Sequence, residues 1–170
     1  TCPVYFRSPE GMMADNIARF RGRLFNLRCA LIQNRTRIGE GLRLYSKLEL
    51  RGKGSWIIGK NCTVRGMPGS KGEYTTLFTN SPEAVIEIGD NVILLAAKTS
   101  CRFAISIGND VLIEEASLLD TDFHSPEKSR KKIEGESLKS CRIVIGDRTA
   151  IGARSIICKG TTIGSDCVVV

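Results

Sequence analysis

Large apolar residues recur every six positions near the C-terminal end: Ile145, Ile151, Ile157 and Ile163, continued by Val169. The blocks read IGDRTA, IGARSI, ICKGTT and IGSDCV, and the fifth place of each is small: Thr149, Ser155, Thr161 and Cys167. A helix cannot hold this rhythm on one face, because six residues advance it by about 600°, or 240° net. A short strand followed by a turn can. The large residue and the small one two places before the next both point inward, and Gly146, Gly152 and Gly164 mark the bends. Repeated bends of this kind wind the chain into coils whose strands stack in parallel.

The same signal returns upstream in IGNDVL, IEEASL and LDTDFH, where Ile107, Ile113 and Leu119 keep the step and Val111 and Ser117 take the small place. Earlier blocks are IGKNCT from Ile58 and IGDNVI from Ile88. Cys62 and Cys167 hold equivalent fifth positions, so packing accounts for them. The spacing from Ile88 to Ile107 is one residue out of register, which predicts a bulge or a lengthened corner. Two stretches carry turn residues or charge instead of the period, 66–82 and 125–140, and are predicted to be loops leaving the coils. Ahead of the repeat, MMADNIARFRGRLFNLRCALI predicts a helix with Asp15 as N-cap, weakened by Gly22. The organisation expected is a basic, partly helical segment over 1–35 followed by a repeat domain over 36–170. Thr1 at one end and Val170 inside a running repeat at the other raise the expectation of a longer natural chain, since a solenoid needs a cap.

Composition narrows the partners. With 170 residues, 42% hydrophobic and 25% charged, the chain suits one folded domain. No apolar run approaches the roughly 20 residues that span a bilayer, no tripartite leader opens the chain, and a cytoplasmic location is expected. Seven scattered cysteines without a C-x-x-C pair argue against a disulfide framework and a structural zinc site. The net charge of +7 favours an anionic partner, such as a CoA-type phosphate, an acidic glycan, nucleic acid or a membrane surface. Aromatics at 6%, with no basic–aromatic recognition pattern, weigh against nucleic acid. Arg19, Arg21, Arg23 and Arg28 lie among Phe20, Leu24, Phe25 and Leu27. Packing over the open end of the coils is the favoured reading of that segment, with peripheral contact to an anionic membrane the alternative.

The in-phase blocks resemble the hexapeptide-repeat family, whose fold is all-β: a left-handed parallel β-helix shaped as a triangular prism. The hand comes from the resemblance, since parallel crossovers are ordinarily right-handed. The family's zinc-binding branch uses several histidines, and this chain has one. No threonine array of the ice-binding kind is visible, and no Gly-rich nucleotide-binding domain precedes the repeat, which leaves the acyltransferases. The segment LLDTDFHS, Leu118 to Ser125, holds the single histidine, His124, where a coil runs into the charged stretch. It resembles the galactoside, maltose and nodulation-type O-acetyltransferases, and SRKKIEGE is similar to the loop that follows in the galactoside enzyme, with one extra residue.

That resemblance implies acetyl-CoA as acyl donor, a saccharide acceptor, no metal, and a homotrimer with active sites between protomers. It implies His124 as catalytic base in the extruded loop. A neutral imidazole, with a pKa near 6.5, suits that role, because it can take the proton of a poorly nucleophilic hydroxyl. Asp122 and Asp120 are candidates to orient the imidazole, as is a backbone carbonyl, and strand alternation puts both on the histidine's side unless a corner intervenes. The resemblance also implies the backbone N–H of Ala153 as oxyanion donor and a pantetheine groove lined by Gly152, Ala153 and Gly160; corner geometry is the competing account of these positions. Lys128, Arg130, Lys131 and Lys132 alternate with Glu127, Glu134 and Glu136 and read as a solvated loop. Leu94 stands where the galactoside enzyme has its acceptor-binding asparagine, Ala150 where it has a tryptophan, and further CoA contacts would lie past Val170. The expected activity is acetyl-CoA-dependent O-acetylation of a carbohydrate hydroxyl, as in surface-polysaccharide biosynthesis. N-acetylation of an amino sugar and a non-catalytic assembly or binding module are the alternatives.

Overall fold

The computed structural model describes residues 9–32, 35–66, 74–122 and 137–170. A helix, α1 (Pro9–Ile32), precedes strands too short to stand alone, and these sort by register into three parallel sheets. The first sheet stacks β1 (Thr36–Ile38), β4 (Ser55–Ile58), β7 (Val85–Ile88), β10 (Ala104–Ile107), β13 (Ile143–Ile145) and β16 (Thr162–Ile163). The second stacks β2 (Arg43–Leu44), β5 (Thr63–Arg65), β8 (Ile93–Leu95), β11 (Leu112–Glu114), β14 (Ala150–Ile151) and β17 (Val168–Val169). The third stacks β3 (Leu48–Gly52), β6 (Thr75–Thr79), β9 (Lys98–Cys101), β12 (Ser117–Leu119) and β15 (Ile156–Cys158). Each coil gives one strand to each sheet in turn, and the result is a left-handed parallel β-helix.

The six-residue period is one side of the triangle. Ile145, Ile151 and Ile157 fall on the first, second and third sheets, and Ile163 returns to the first, directly over Ile145. Ile58, Ile88, Ile107 and Ile145 form a continuous inward ladder down the first sheet. Ile105, Ile113, Leu118, Ile143 and Ile151 are fully buried in the single core this produces, which is how strands of two to five residues are held. The small place before the second sheet is buried coil after coil, by Cys62, Val92, Val111 and Thr149. At that corner each coil caps its neighbour: Oδ1 of Asp90 accepts from the Lys60 amide at 2.6 Å, Asn109 from Asp90 at 2.8 Å, and Asp147 from Asn109 at 2.7 Å. The glycine of the I-G-D/N blocks follows from this, because a Cβ on Gly108 would overlap the Asp147 carboxylate.

Several expectations change in detail. The stretch 66–82 is not all loop: Thr75–Thr79 is strand β6, paired with β3 and β9. Threonines at inward positions, Thr75 and Thr79, conceal its alternation. The inward residue of β12 is Leu118 and not Leu119, since Leu118 pairs with Thr99 and Ile157. The irregular spacing between Ile88 and Ile107 has the same origin. Five residues separate Leu94 from Thr99, one fewer than the period, and eight separate Thr99 from Ile107, so the lengthened corner holds Arg102 and Phe103. Within the predicted loop 125–140, Ser137 caps a short helix, α2 (Leu138–Cys141), through a capping box with Ser140.

Asp15 is not an N-cap. It lies inside α1, where it pairs with Arg19 at 2.8 Å and accepts from the Tyr45 hydroxyl at 2.7 Å. The helix lies across the first coil, with Asp15 at Tyr45, Gly22 at Leu42 and Asn26 donating to the Ile38 carbonyl at 3.1 Å. A Cβ on Gly22 would overlap the Leu42 carbonyl oxygen, so the glycine that weakens the helix also lets it seat. The Tyr45 hydrogen bond, with Arg19 second, holds the Asp15 carboxyl below its ordinary range. Its contribution is therefore present above the ordinary aspartate value and lost as pH falls through the lowered one. Tyr45→Phe is expected to cost about 1 kcal/mol at neutral pH, given the partial exposure of the pair, and less in acid. Urea unfolding of the two proteins across pH checks this.

Candidate functional site

The corner after β12, between the third and first sheets, is where the coil gives way to the segment containing His124. Beyond Leu118 the next inward residue is Asp120, which is fully buried. Its Oδ1 accepts from the Arg102 amide at 2.6 Å and its Oδ2 from the Phe103 amide at 2.7 Å, with the Cys101 thiol at 3.3 Å. These amides belong to the lengthened corner of the coil below. Extra residues there lack a sheet partner, and a buried N–H without an acceptor is costly, so the carboxylate completes the corner. A coil earlier still, Thr79 does the same on a smaller scale, its hydroxyl accepting from the Gly54 amide at 2.9 Å. Burial pushes the Asp120 carboxyl up from its ordinary range, against the opposing pull of the Arg102 and Phe103 amides. Burial and the Asp120 charge likewise push the Cys101 thiol far up, so it is not a thiolate nucleophile.

Asp122 points the other way. It is exposed and forms an ion pair with Lys159, which stands on the equivalent corner of the next coil. Alternation therefore fails between Asp120 and Asp122, because the chain turns there: one carboxylate is committed to the interior, the other to the surface. His124 lies outside the described residues, as do Lys128, Arg130, Lys131 and Lys132. The chain is described again from Ser137, and α2 leads into β13. Gly160 sits against this return. Its N–H donates to the Cys141 carbonyl at 3.0 Å, its φ is +75°, and a Cβ would lie 2.7 Å from the Ser140 carbonyl oxygen. Turn geometry and close approach thus explain Gly160 fully.

Gly152 and Ala153 occupy a different edge, between the second and third sheets. Gly152 donates to the Val169 carbonyl at 2.8 Å, and a Cβ there would come within 3.0 Å of the same oxygen. The next corner residues are distinctive. Two coils below, Leu94 is followed by the next inward residue after five positions, and one coil below the same holds from Ile113 to Leu118; from Ile151 to Ile157 the step is six. The extra residue makes a Gly152–Ser155 turn, closed by the Ser155 amide on the Gly152 carbonyl at 3.3 Å, with Arg154 at a φ of 65°. Arg154 keeps the bond to the coil below, its amide donating to the Glu115 carbonyl at 3.3 Å. Ala153 is left exposed, and among the described residues its N–H has no acceptor.

The five described candidate positions are thus not one cluster in this chain. Asp122 and Gly160 share one edge of the prism, Gly152 and Ala153 another, and the third sheet lies between. Five residue steps of strand separate the two edges by about 16 Å. Lys159 was not singled out by sequence reasoning, although a lysine beside a corner glycine, one coil above an exposed aspartate, is the trace it leaves. The extra residue at Ala153 was hidden in the sequence, because Leu119 keeps the six-residue step from Ile113 and only strand pairing shows that Leu118 is the inward residue. Leu94, aligned by spacing with an acceptor-binding asparagine, faces the core, 3% exposed, and cannot touch an acceptor.

Residues 142–170 match the family model described as the hexapeptide repeat of succinyl-transferase. No curated protein and no solved structure matched the chain. The matched region covers β13 to β17, the coils that carry both Gly160 and the Ala153 turn, and supports an acyltransferase type of function.

Proposed function

We propose that the protein is an acetyl-CoA-dependent O-acetyltransferase that acylates a carbohydrate hydroxyl, with His124 as general base. The observation that carries this reading is a hexapeptide prism of acyltransferase type in which the only histidine in the chain falls in the sequence between β12 of the third sheet and β13 of the first, where the six-residue period breaks. The neutral imidazole takes the proton of the acceptor hydroxyl as its oxygen attacks the thioester carbonyl. The tetrahedral intermediate then collapses, the C–S bond breaks, and the imidazolium returns the proton to the CoA thiolate. Ala153 supplies the N–H for the oxyanion, in keeping with its unengaged amide on an exposed, lengthened turn. Asp122, held by Lys159, is the carboxylate available to orient the imidazole, since that of Asp120 serves the corner. Because the Asp122 edge and the Ala153 edge are far apart in one prism, the working site joins edges of two copies, as in a closed homotrimer.

A thiol-release assay across a saccharide panel, with acetyl-CoA and succinyl-CoA as donors, tests the reading. Acceptor-dependent release with acetyl-CoA is the expected result. A preference for succinyl-CoA would replace the donor, and a product acylated on nitrogen would replace the acceptor atom. No release and no calorimetric CoA binding would leave a non-catalytic prism. Ala153→Pro is a sharper probe, because proline suits the first central place of a turn whose next residue has positive φ, and it removes only the N–H. Turnover is expected to fall about 100-fold with the melting temperature preserved.

A further inference from the structure

The outer face of α1 has no role in the prism. Ala18, Gly22, Phe25 and Cys29 form the side that meets the first coil, with Ala18 and Cys29 buried and Phe25 packed against the core. Met13, Ile17, Phe20, Leu24, Leu27 and Leu31 recur at steps of four and three, so at 100° per residue they form one stripe directly opposite. Each is exposed, Phe20 by 67% and Leu31 by 76%. An unbroken apolar stripe along five turns is far beyond the scattered exposed apolar residues of an ordinary surface.

The charges beside the stripe say what covers it. Arg21 and Arg28 flank one side and Arg19 and Arg23 the other, all exposed, and residues 16–32 contain no Asp or Glu. Arg19 is paired with Asp15, while Arg21, Arg23 and Arg28 have no carboxylate partner among the described residues. A second copy seated here would bring two sets of arginines together, with no acid within residues 16–32 of either helix to meet them and Asp15 already engaged by Arg19 and Tyr45. An anionic lipid surface satisfies both features at once, taking the apolar side chains below the headgroups and pairing the guanidinium groups with phosphates. Because α1 lies across the first coil with its Ala18–Cys29 side inward, the stripe faces away from that coil. We propose that α1 is an interfacial anchor that seats the prism end-on against an anionic membrane, independently of the reaction assigned above.

Co-sedimentation of the full chain with vesicles of mixed phosphatidylcholine and phosphatidylglycerol, and of phosphatidylcholine alone, tests this. Binding to the mixed vesicles that weakens with added salt is expected, with little binding to the neutral ones. Arg21→Gln with Arg28→Gln should lower partitioning about 30-fold, roughly fivefold per arginine. Phe20→Ser with Leu24→Ser should remove it without lowering the melting temperature, because both side chains are already exposed. Absent or equal binding to the two vesicle types would overturn the proposal. So would a stripe variant that changes the oligomeric state in ultracentrifugation and leaves lipid partitioning intact, which would assign the face to contact between chains.

Discussion

His124→Ala is expected to lower kcat/KM for acyl transfer about 1,000-fold, the usual worth of a positioned base, while the melting temperature stays within about 1 °C of the parent protein. The hydroxyl acceptor cannot be deprotonated appreciably by water at neutral pH, so removing the imidazole removes the chain's only histidine, the side chain whose ordinary pKa lies in the working range. The parent enzyme's rate should fall on the acid side as His124 protonates, and that limb should vanish in the variant's residual activity. Thiol release measured across pH for both proteins reads the two effects together. Retention of parental turnover by His124→Ala would end the mechanism. Asp122→Asn separates orientation from base strength: a moderate drop in kcat with KM unchanged is expected if Asp122 holds the imidazole, and no change if it serves only Lys159.

The second large effect is on stability and concerns Asp120. Asp120→Ala leaves the Arg102 and Phe103 amides without acceptors inside the prism, at a cost of about 3 kcal/mol. Asp120→Asn keeps one acceptor oxygen and places an amide donor against the other N–H, so it should be intermediate. The sign of the pH dependence follows from burial, which raises the Asp120 carboxyl above its ordinary range. The folded state binds this proton more readily than the unfolded state does. The group's contribution is therefore full below the ordinary aspartate value and declines as pH rises through the raised folded one. The stability gap between the parent and Asp120→Asn should narrow over that interval. Urea midpoints taken at several pH values measure it, and activity per folded molecule in Asp120→Ala should track that of the parent if the residue acts only on the corner.

Much of this architecture is readable in advance because the repeat states it redundantly. Ile58, Ile88, Ile107, Ile145 and Ile163 each announce an inward position independently, and the register confirms them as one ladder. Misreadings occur where a single residue must decide between two possibilities. Leu118 and Leu119 are chemically alike, and only pairing with Thr99 and Ile157 shows which points inward. Strand β6 hides behind Thr75 and Thr79, since a threonine can face either way. Asp15 has the composition of an N-cap, yet its carboxylate is used by Tyr45, thirty residues away.

The site divides along the same line. Spacing and residue identity are enough to establish the period, coils whose strands stack in parallel, the single histidine and the place where the period breaks, while the triangular section came from the family resemblance. Three other features needed the folded chain: Asp120 and Asp122 face opposite ways, Gly160 belongs to a different edge from Gly152 and Ala153, and one side of α1 stays uncovered. Each of these depends on which coil lies above which, a contact between residues distant in the chain. A one-residue difference in corner length moves such a contact without disturbing the local pattern.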